Sequence, residues 1–127
     1  MDKENIRFTR RQVLLIRQIA GYLDAHPEEQ LTLEKLSQLF SMPVSTMKRC
    51  FCAVYGMPVC AYLRRSRMKK AAKLLLETDG TVLDIAGQVG YDNASKFAAA
   101  FRAVTGLSPS EYRRQPLDWE EGAQAAD

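Results

Sequence analysis

The sequence predicts an all-α chain of seven helices, built as two helix-turn-helix subdomains joined by a long central helix. Three observations carry that prediction. The stretch "FCAVYG" at residues 51–56 returns fifty residues later as "FRAVTG" at 101–106. Apolar residues recur at the spacing of one helix face, and no convincing strand stands among them. Between the repeats lies a stretch of about 20 residues with no internal Gly or Pro, long enough for one helix of roughly 30 Å.

Each element has its own signals. Residues 9–27 place Val13, Leu14, Ile16, Ile19, Ala20 and Leu23 on one side, with Thr9 as a cap and Pro27 as a stop. "LTLEKLSQLF" puts Leu33, Leu36 and Leu39/Phe40 on a stripe, and Pro43 in "SMPV" forbids its continuation. "STMKRCFCAVYG" then carries Met47, Cys50/Phe51 and Val54 on a second stripe, up to a C-terminal stop at Gly56. The linker helix follows, in "PVCAYLRRSRMKKAAKLLLET", where Val59, Tyr62/Leu63, Ser66, Ala71 and Leu74/Leu75 form an interrupted apolar side.

The second copy opens on Thr81-x-x-Asp84, a capping box with Asp for the usual Glu, ahead of Val82, Ile85, Ala86 and Val89. Gly90 suits a turn with positive φ. Asn93 is a good N-cap for the next helix, which ends at Gly106. Ser108, Pro109 and Glu111 then mark the start of a last short helix. The organisation expected is residues 1–56, a linker helix over 57–79, a second unit over 80–115 and a disordered acidic tail over 116–127. Trp119 in that tail is assigned no role.

Offset by fifty, the chain matches itself at nine positions without a gap, from Leu33/Leu83 through Phe51/Phe101 and Gly56/Gly106 to Arg64/Arg114. Two copies are too few for a solenoid, so they read as one supersecondary unit used twice. The paired residues Phe51 and Phe101, Val54 and Val104, Met47 and Phe97 are expected in the core.

Composition bounds the function. With 46% hydrophobic and 26% charged residues, the chain reads as soluble and globular. "MDKENIRFTRRQ" has no apolar core of a signal peptide. Three cysteines, an odd number without zinc spacing, suggest a reducing cytoplasmic setting. Cys50 and Cys52 are expected as small packing residues. The one histidine, His26, stands at a helix end, with no metal cluster, phosphate-cradling loop or nucleophile triad around it. An enzyme is therefore not expected, and neither is a cofactor.

The net charge of +3 conceals an asymmetry: without the four acids of the tail, residues 1–116 carry +7. Lys48, Arg49, Arg64, Arg65, Arg67, Lys69, Lys70 and Lys73 lie between Val44 and Leu76, a span with no acid. Such a block suggests an anionic partner.

"YLRRSRMKKAAKLL" followed by "IAGQVGYDNASKFAAAFRAVTGLSPSEYRR" resembles the double helix-turn-helix domain of the AraC/XylS transcription regulators. The matching residues are Ile85-Ala86, Gly90-Tyr91, Phe97, Phe101, Gly106, Ser108-Pro109 and Tyr112-Arg113. The resemblance covers roughly residues 10–115. It implies a homeodomain-like fold, two recognition helices in adjacent major grooves of double-stranded DNA, and bacterial transcription control. A helix of about 30 Å would hold two such heads about one duplex turn apart, near 34 Å. RNA polymerase is an implied partner. So is a monomeric state, or a dimer only through a further N-terminal domain of the kind most of the family carries.

Family positions for base reading map to Ser45, Thr46, Lys48 and Arg49 in copy one, and to Ala94, Ser95, Ala98 and Ala99 in copy two. Arg and Lys donate to guanine O6 and N7, and Ser and Thr to base edges or phosphates. Lys96, Arg102, Arg64, Arg65 and Lys69 are expected on the DNA backbone. Copy two departs from the family in its run of alanines. Copy one is therefore expected to supply most base readout, and copy two backbone, methyl and shape contacts. The competing reading is a helix-turn-helix that docks proteins and has lost specific DNA binding.

Overall fold

The computed structural model describes residues 7–116, and among them seven α-helices and no strand. These are α1 (Arg10–Ala25), α2 (Leu33–Phe40), α3 (Val44–Tyr55), α4 (Val59–Glu77), α5 (Val82–Gln88), α6 (Ala94–Thr105) and α7 (Pro109–Arg114). The acidic tail from Leu117 on, Trp119 included, lies outside the described residues. The chain forms two compact units, and the boundary between them falls inside α4, after Tyr62. No described helix is long and apolar enough to cross a membrane.

Unit 1 comprises, of the described residues, 7–25 and Leu31–Tyr62. Thr9 and Gln12 cap α1 reciprocally: the Gln12 N–H donates to Thr9 Oγ1 at 3.0 Å and the Thr9 N–H to Gln12 Oε1 at 2.8 Å. The helix ends at Ala25, ahead of Pro27, because the residue before proline is pushed out of helical geometry. Its buried Ile16, Ile19, Ala20 and Leu23 pack chiefly on α3. Leu36, Met42, Met47, Cys50, Phe51 and Val59 complete the core of the unit.

The apolar stripes are wider than the seams they fill. Leu14 and Leu39, both on a predicted stripe, are 53% and 52% exposed. Val54 is half-buried rather than core, as is Val104 in the second unit. The turn after α2 uses Ser41 at φ 53°, a left-handed cap without a glycine. It is held by the Ser37 hydroxyl, which donates to the Met42 carbonyl at 2.6 Å. Pro43 is the N-cap of α3, and no side chain caps that helix. Tyr62 packs its ring against Phe51 and Tyr55 and donates its hydroxyl to Asp24 Oδ2 at 2.9 Å. Burial first, then the bond to Asp24, pushes the Tyr62 phenol well above its ordinary range.

Unit 2 comprises His26–Gln30 and the chain from Leu63 on. Its core is Met68, Ala71, Ala72 and Leu75 of α4, Ile85, Ala86 and Val89, Phe97 and Phe101 of α6, and Tyr112 of α7. Burying a ring such as Phe97 or Phe101 contributes about 2–3 kcal/mol. Arg67 fastens the segment 26–30: its Nε donates to the Pro27 carbonyl at 2.9 Å and its Nη2 to the Glu29 carbonyl at 2.8 Å. The same guanidinium lies 5.8 Å from the Tyr91 ring centroid. Gln30 Nε2 donates to the Gly90 carbonyl at 2.7 Å. Gly90 sits at φ +89°, and a Cβ there would stand 2.8 Å from the Pro27 oxygen, so only glycine fits. Arg113 closes the C-terminal end of α4, donating to the carbonyls of Leu75 at 2.9 Å and Thr78 at 3.1 Å.

Candidate nucleic-acid interface

The two copies build the same helix twice. Helices α3 and α6 are each twelve residues long and begin fifty residues apart. Met47, Cys50 and Phe51 face inward on α3, and Phe97, Phe101 and Thr105 on α6. Both stop on a left-handed glycine, Gly56 at φ 74° and Gly106 at φ 87°. Each of those glycines donates its N–H to the carbonyl four residues back at 2.8 Å. The repeated F-x-A-V-x-G is thus a buried phenylalanine and the cap that ends its helix.

With the inward positions taken, α3 turns Ser45, Lys48 and Arg49 to solvent and leaves Thr46 half-buried. No hydrogen bond or ion pair ties Lys48 or Arg49 to another described residue. Pro43 has no side-chain acceptor to offer, so the first-turn N–H groups of α3 keep their donors uncapped by any side chain. This face is rich in donors.

Helix α6 is different. Ser95, Lys96, Ala99 and Arg102 are exposed, while Ala94 and Ala98 are half-buried. The Asn93 side chain accepts the Lys96 N–H at 3.0 Å and so caps the first turn. Arg102 Nη2 donates to Glu111 Oε1 at 3.1 Å, a pair that is 60% and 42% exposed. Glu111 also accepts the Ser108 N–H at 2.8 Å in a capping box. The Ser108 backbone N–H, then its side chain and, more weakly, Arg102 hold the Glu111 carboxyl below the ordinary glutamate range. Ser95 and Lys96 are the remaining exposed side-chain donors on the front of α6.

The basic block of α4 divides. Arg64, Lys69, Lys70 and Lys73 are exposed and Arg65 is half-buried. Arg67, by contrast, is drawn onto backbone carbonyls of its own unit. The sequence holds a signal for this: Arg67 stands four residues before Ala71 and beside Met68, at the edge of the buried stripe.

Cys50 is buried, but Cys52 is exposed on the outer face of α3, not a packing residue. His26 Nδ1 lies 3.7 Å from the Glu29 carboxylate. No cluster of three metal-ligating side chains exists among the described residues.

A family described as a helix-turn-helix domain matches residues 36–115. The transcriptional activator AarP of Providencia stuartii is 34% identical over 107 residues, covering 84% of this chain and 79% of AarP. The uncharacterized HTH-type regulator YdiP of Escherichia coli is 37% identical over 102 residues, 80% of this chain and 34% of YdiP. The chain therefore spans about a third of the length of YdiP and about four-fifths of AarP. These relatives are transcription regulators, not enzymes.

Among solved structures, the C-terminal domain of the response regulator AraT from Geobacillus stearothermophilus superposes with a TM-score of 0.78 at 31% identity, covering 88% of this chain and 90% of that one. The DNA-binding domain of AdpA, in complex with a target DNA, gives a TM-score of 0.74 at 27% identity, covering 80% and 96%.

Proposed function

Since the chain belongs to the AraC/XylS family of helix-turn-helix, DNA-binding transcription regulators, we propose that it reads a specific duplex sequence with unequal heads. Helix α3 does most of the base reading, and α6 enters the adjacent major groove mainly for backbone and shape contacts. The observation that carries this is the contrast between the outer faces of the two helices. Lys48 and Arg49 are exposed cations without partners among the described residues, one turn from Ser45. Arg49 can donate to guanine O6 and N7, and Lys48 to a base edge or a phosphate. On α6 the corresponding positions are methyl groups, suited to a thymine methyl and to little else.

Phosphate contacts fall to Lys96, Arg102, Arg64, Arg65 and Lys69. Arg102 would have to leave or share Glu111 to make one. Placement in adjacent grooves is carried over from the family and from the in-register repeat. Two recognition helices per chain already supply two half-sites, so binding as a monomer follows. AarP is named as an activator, and activation by this chain would act through a contact to RNA polymerase.

Selection of random-sequence duplexes on the purified chain tests the reading. The expected pool holds one sharp and one diffuse motif about one helical turn apart. Re-binding at several salt concentrations should give a log–log slope near −4 to −5, for roughly 4–6 neutralised phosphates. No enrichment, with salt-insensitive binding, would replace this reading with the protein-docking one.

A further inference from the structure

A groove of about 440 Å³ opens on unit 1 beside the outer face of α3. Its surface is mostly apolar, with Leu33, Pro58 and Val59 in the lining, and Lys48, Arg49, Cys52 and Cys60 border it. Cys52 follows Lys48 by four residues and Arg49 by three, so the thiol and both cations share one face of α3. Cys60 comes from the first turn of α4. Both thiols are free and exposed, whereas Cys50, two residues from Cys52, is buried. The DNA reading above uses the two cations and neither thiol.

Two nucleophilic sulfurs, two cations and an apolar wall in one groove match a small molecule with a central disulfide and carboxylates at its ends. We propose that Cys52 and Cys60 form a modification site for small anionic disulfides of the glutathione class, and that the mixed disulfide turns off base reading by α3. The first half stands on the groove alone; the second rests on the assignment of Lys48 and Arg49 to DNA. In the reaction the cysteine thiol gives up its proton and the thiolate attacks one sulfur of the small disulfide. A protein–small-molecule S–S bond forms, the original S–S bond breaks, and the departing thiolate takes up a proton. The cysteine sulfur is oxidised and the departing sulfur reduced, with no other oxidant. The bound carboxylates then neutralise Lys48 and Arg49, and the adduct occupies the groove along the reading helix.

The test has a DNA-free arm. Intact-mass kinetics of the purified chain compare glutathione disulfide, which is anionic, with cystamine, which is cationic. Relative to a free small thiol under the same conditions, the ratio of the glutathione-disulfide rate to the cystamine rate should be several-fold higher at Cys52 and Cys60, and Cys50 should not react. That preference should shrink with added salt and in the Lys48→Gln/Arg49→Gln variant. A ratio equal to that of the free thiol, or one unchanged in the variant, would overturn the site.

The second arm compares reduced and fully modified protein on a selected duplex. Modification should weaken binding at least roughly tenfold, since the loss of the Arg49 contact alone is worth about that much and Lys48 is neutralised with it. A thiol reductant should reverse it, and the Cys52→Ser/Cys60→Ser variant should be immune. Fully modified protein that binds like the reduced form would overturn the switch. A reduced protein that enriches no duplex would instead sink the DNA reading, with the rate preference still standing or falling on its own.

Discussion

Helices α3 and α6 share length, inward phenylalanine and terminal glycine at an offset of fifty residues, yet present different faces to solvent. On α3 that face holds Ser45, Lys48 and Arg49; on α6 it holds Ser95, Lys96 and alanines. The difference teaches where duplication has been kept. Phe51 and Phe101 are both fully buried, so a change there opens a cavity, whereas an exposed side chain on the outer face costs little to replace. The scaffold repeats; the chemistry on it does not.

The comparison breaks most severely in the core. Phe51→Ala and Phe101→Ala should each cost about 3–5 kcal/mol. Thermal or denaturant unfolding should show the two losses to be similar, because the two rings play the same part. A loss confined to one copy would mean that the repeat is one of letters only.

Arg67 is the next test. Arg67→Ala removes two charge-assisted bonds to the carbonyls of Pro27 and Glu29 and should cost about 2–3 kcal/mol of stability. Exposed Lys70→Ala, in the same basic block, should change stability by less than about 0.5 kcal/mol. Hydrogen exchange around residues 26–30 would rise in the first variant and not in the second.

The readers come third. Arg49→Ala should weaken binding to a selected duplex by about 1–3 kcal/mol and relax preference at one base position. Ala99→Ser should change specificity little. Equal loss on selected and random duplexes would assign Arg49 to a phosphate. At the caps, Asn93→Ala should cost about 1 kcal/mol, since α6 depends on that side chain and α3 has no counterpart to lose.

The smallest effect is that of pH on Glu111. Its folded-state carboxyl lies below the ordinary glutamate range, so its contribution is complete above that range. The contribution is lost as pH falls through the range toward the lowered folded value. Chemical unfolding of the chain and of Glu111→Gln should therefore converge in acid and separate slightly at neutral pH.

The helices were legible because their punctuation is chemical: Thr9, Thr81, Asn93 and Ser108 each cap a helix through a side-chain oxygen. Three things escaped. A charge run reads as a solvated face, and the one cue that sets Arg67 apart is its place at the edge of the buried stripe, since its carbonyl partners lie some forty residues away in the chain. A left-handed Ser41 carries no glycine signal. Helical stripes also show which face is apolar but not how wide the seam is, so Leu14 and Leu39 lie on their stripes yet outside the core. The outer face of α3 was legible through the repeat, since fixing Met47 and Phe51 inward leaves Ser45, Lys48 and Arg49 outward.

The most direct test of unequal heads is the affinity of the chain for every single base-pair change in a selected duplex. Changes in one half-site should cost about 1–3 kcal/mol at individual positions, and changes in the other should cost markedly less. Equal penalties in both half-sites would contradict the account and make the alanines of α6 readers in their own right.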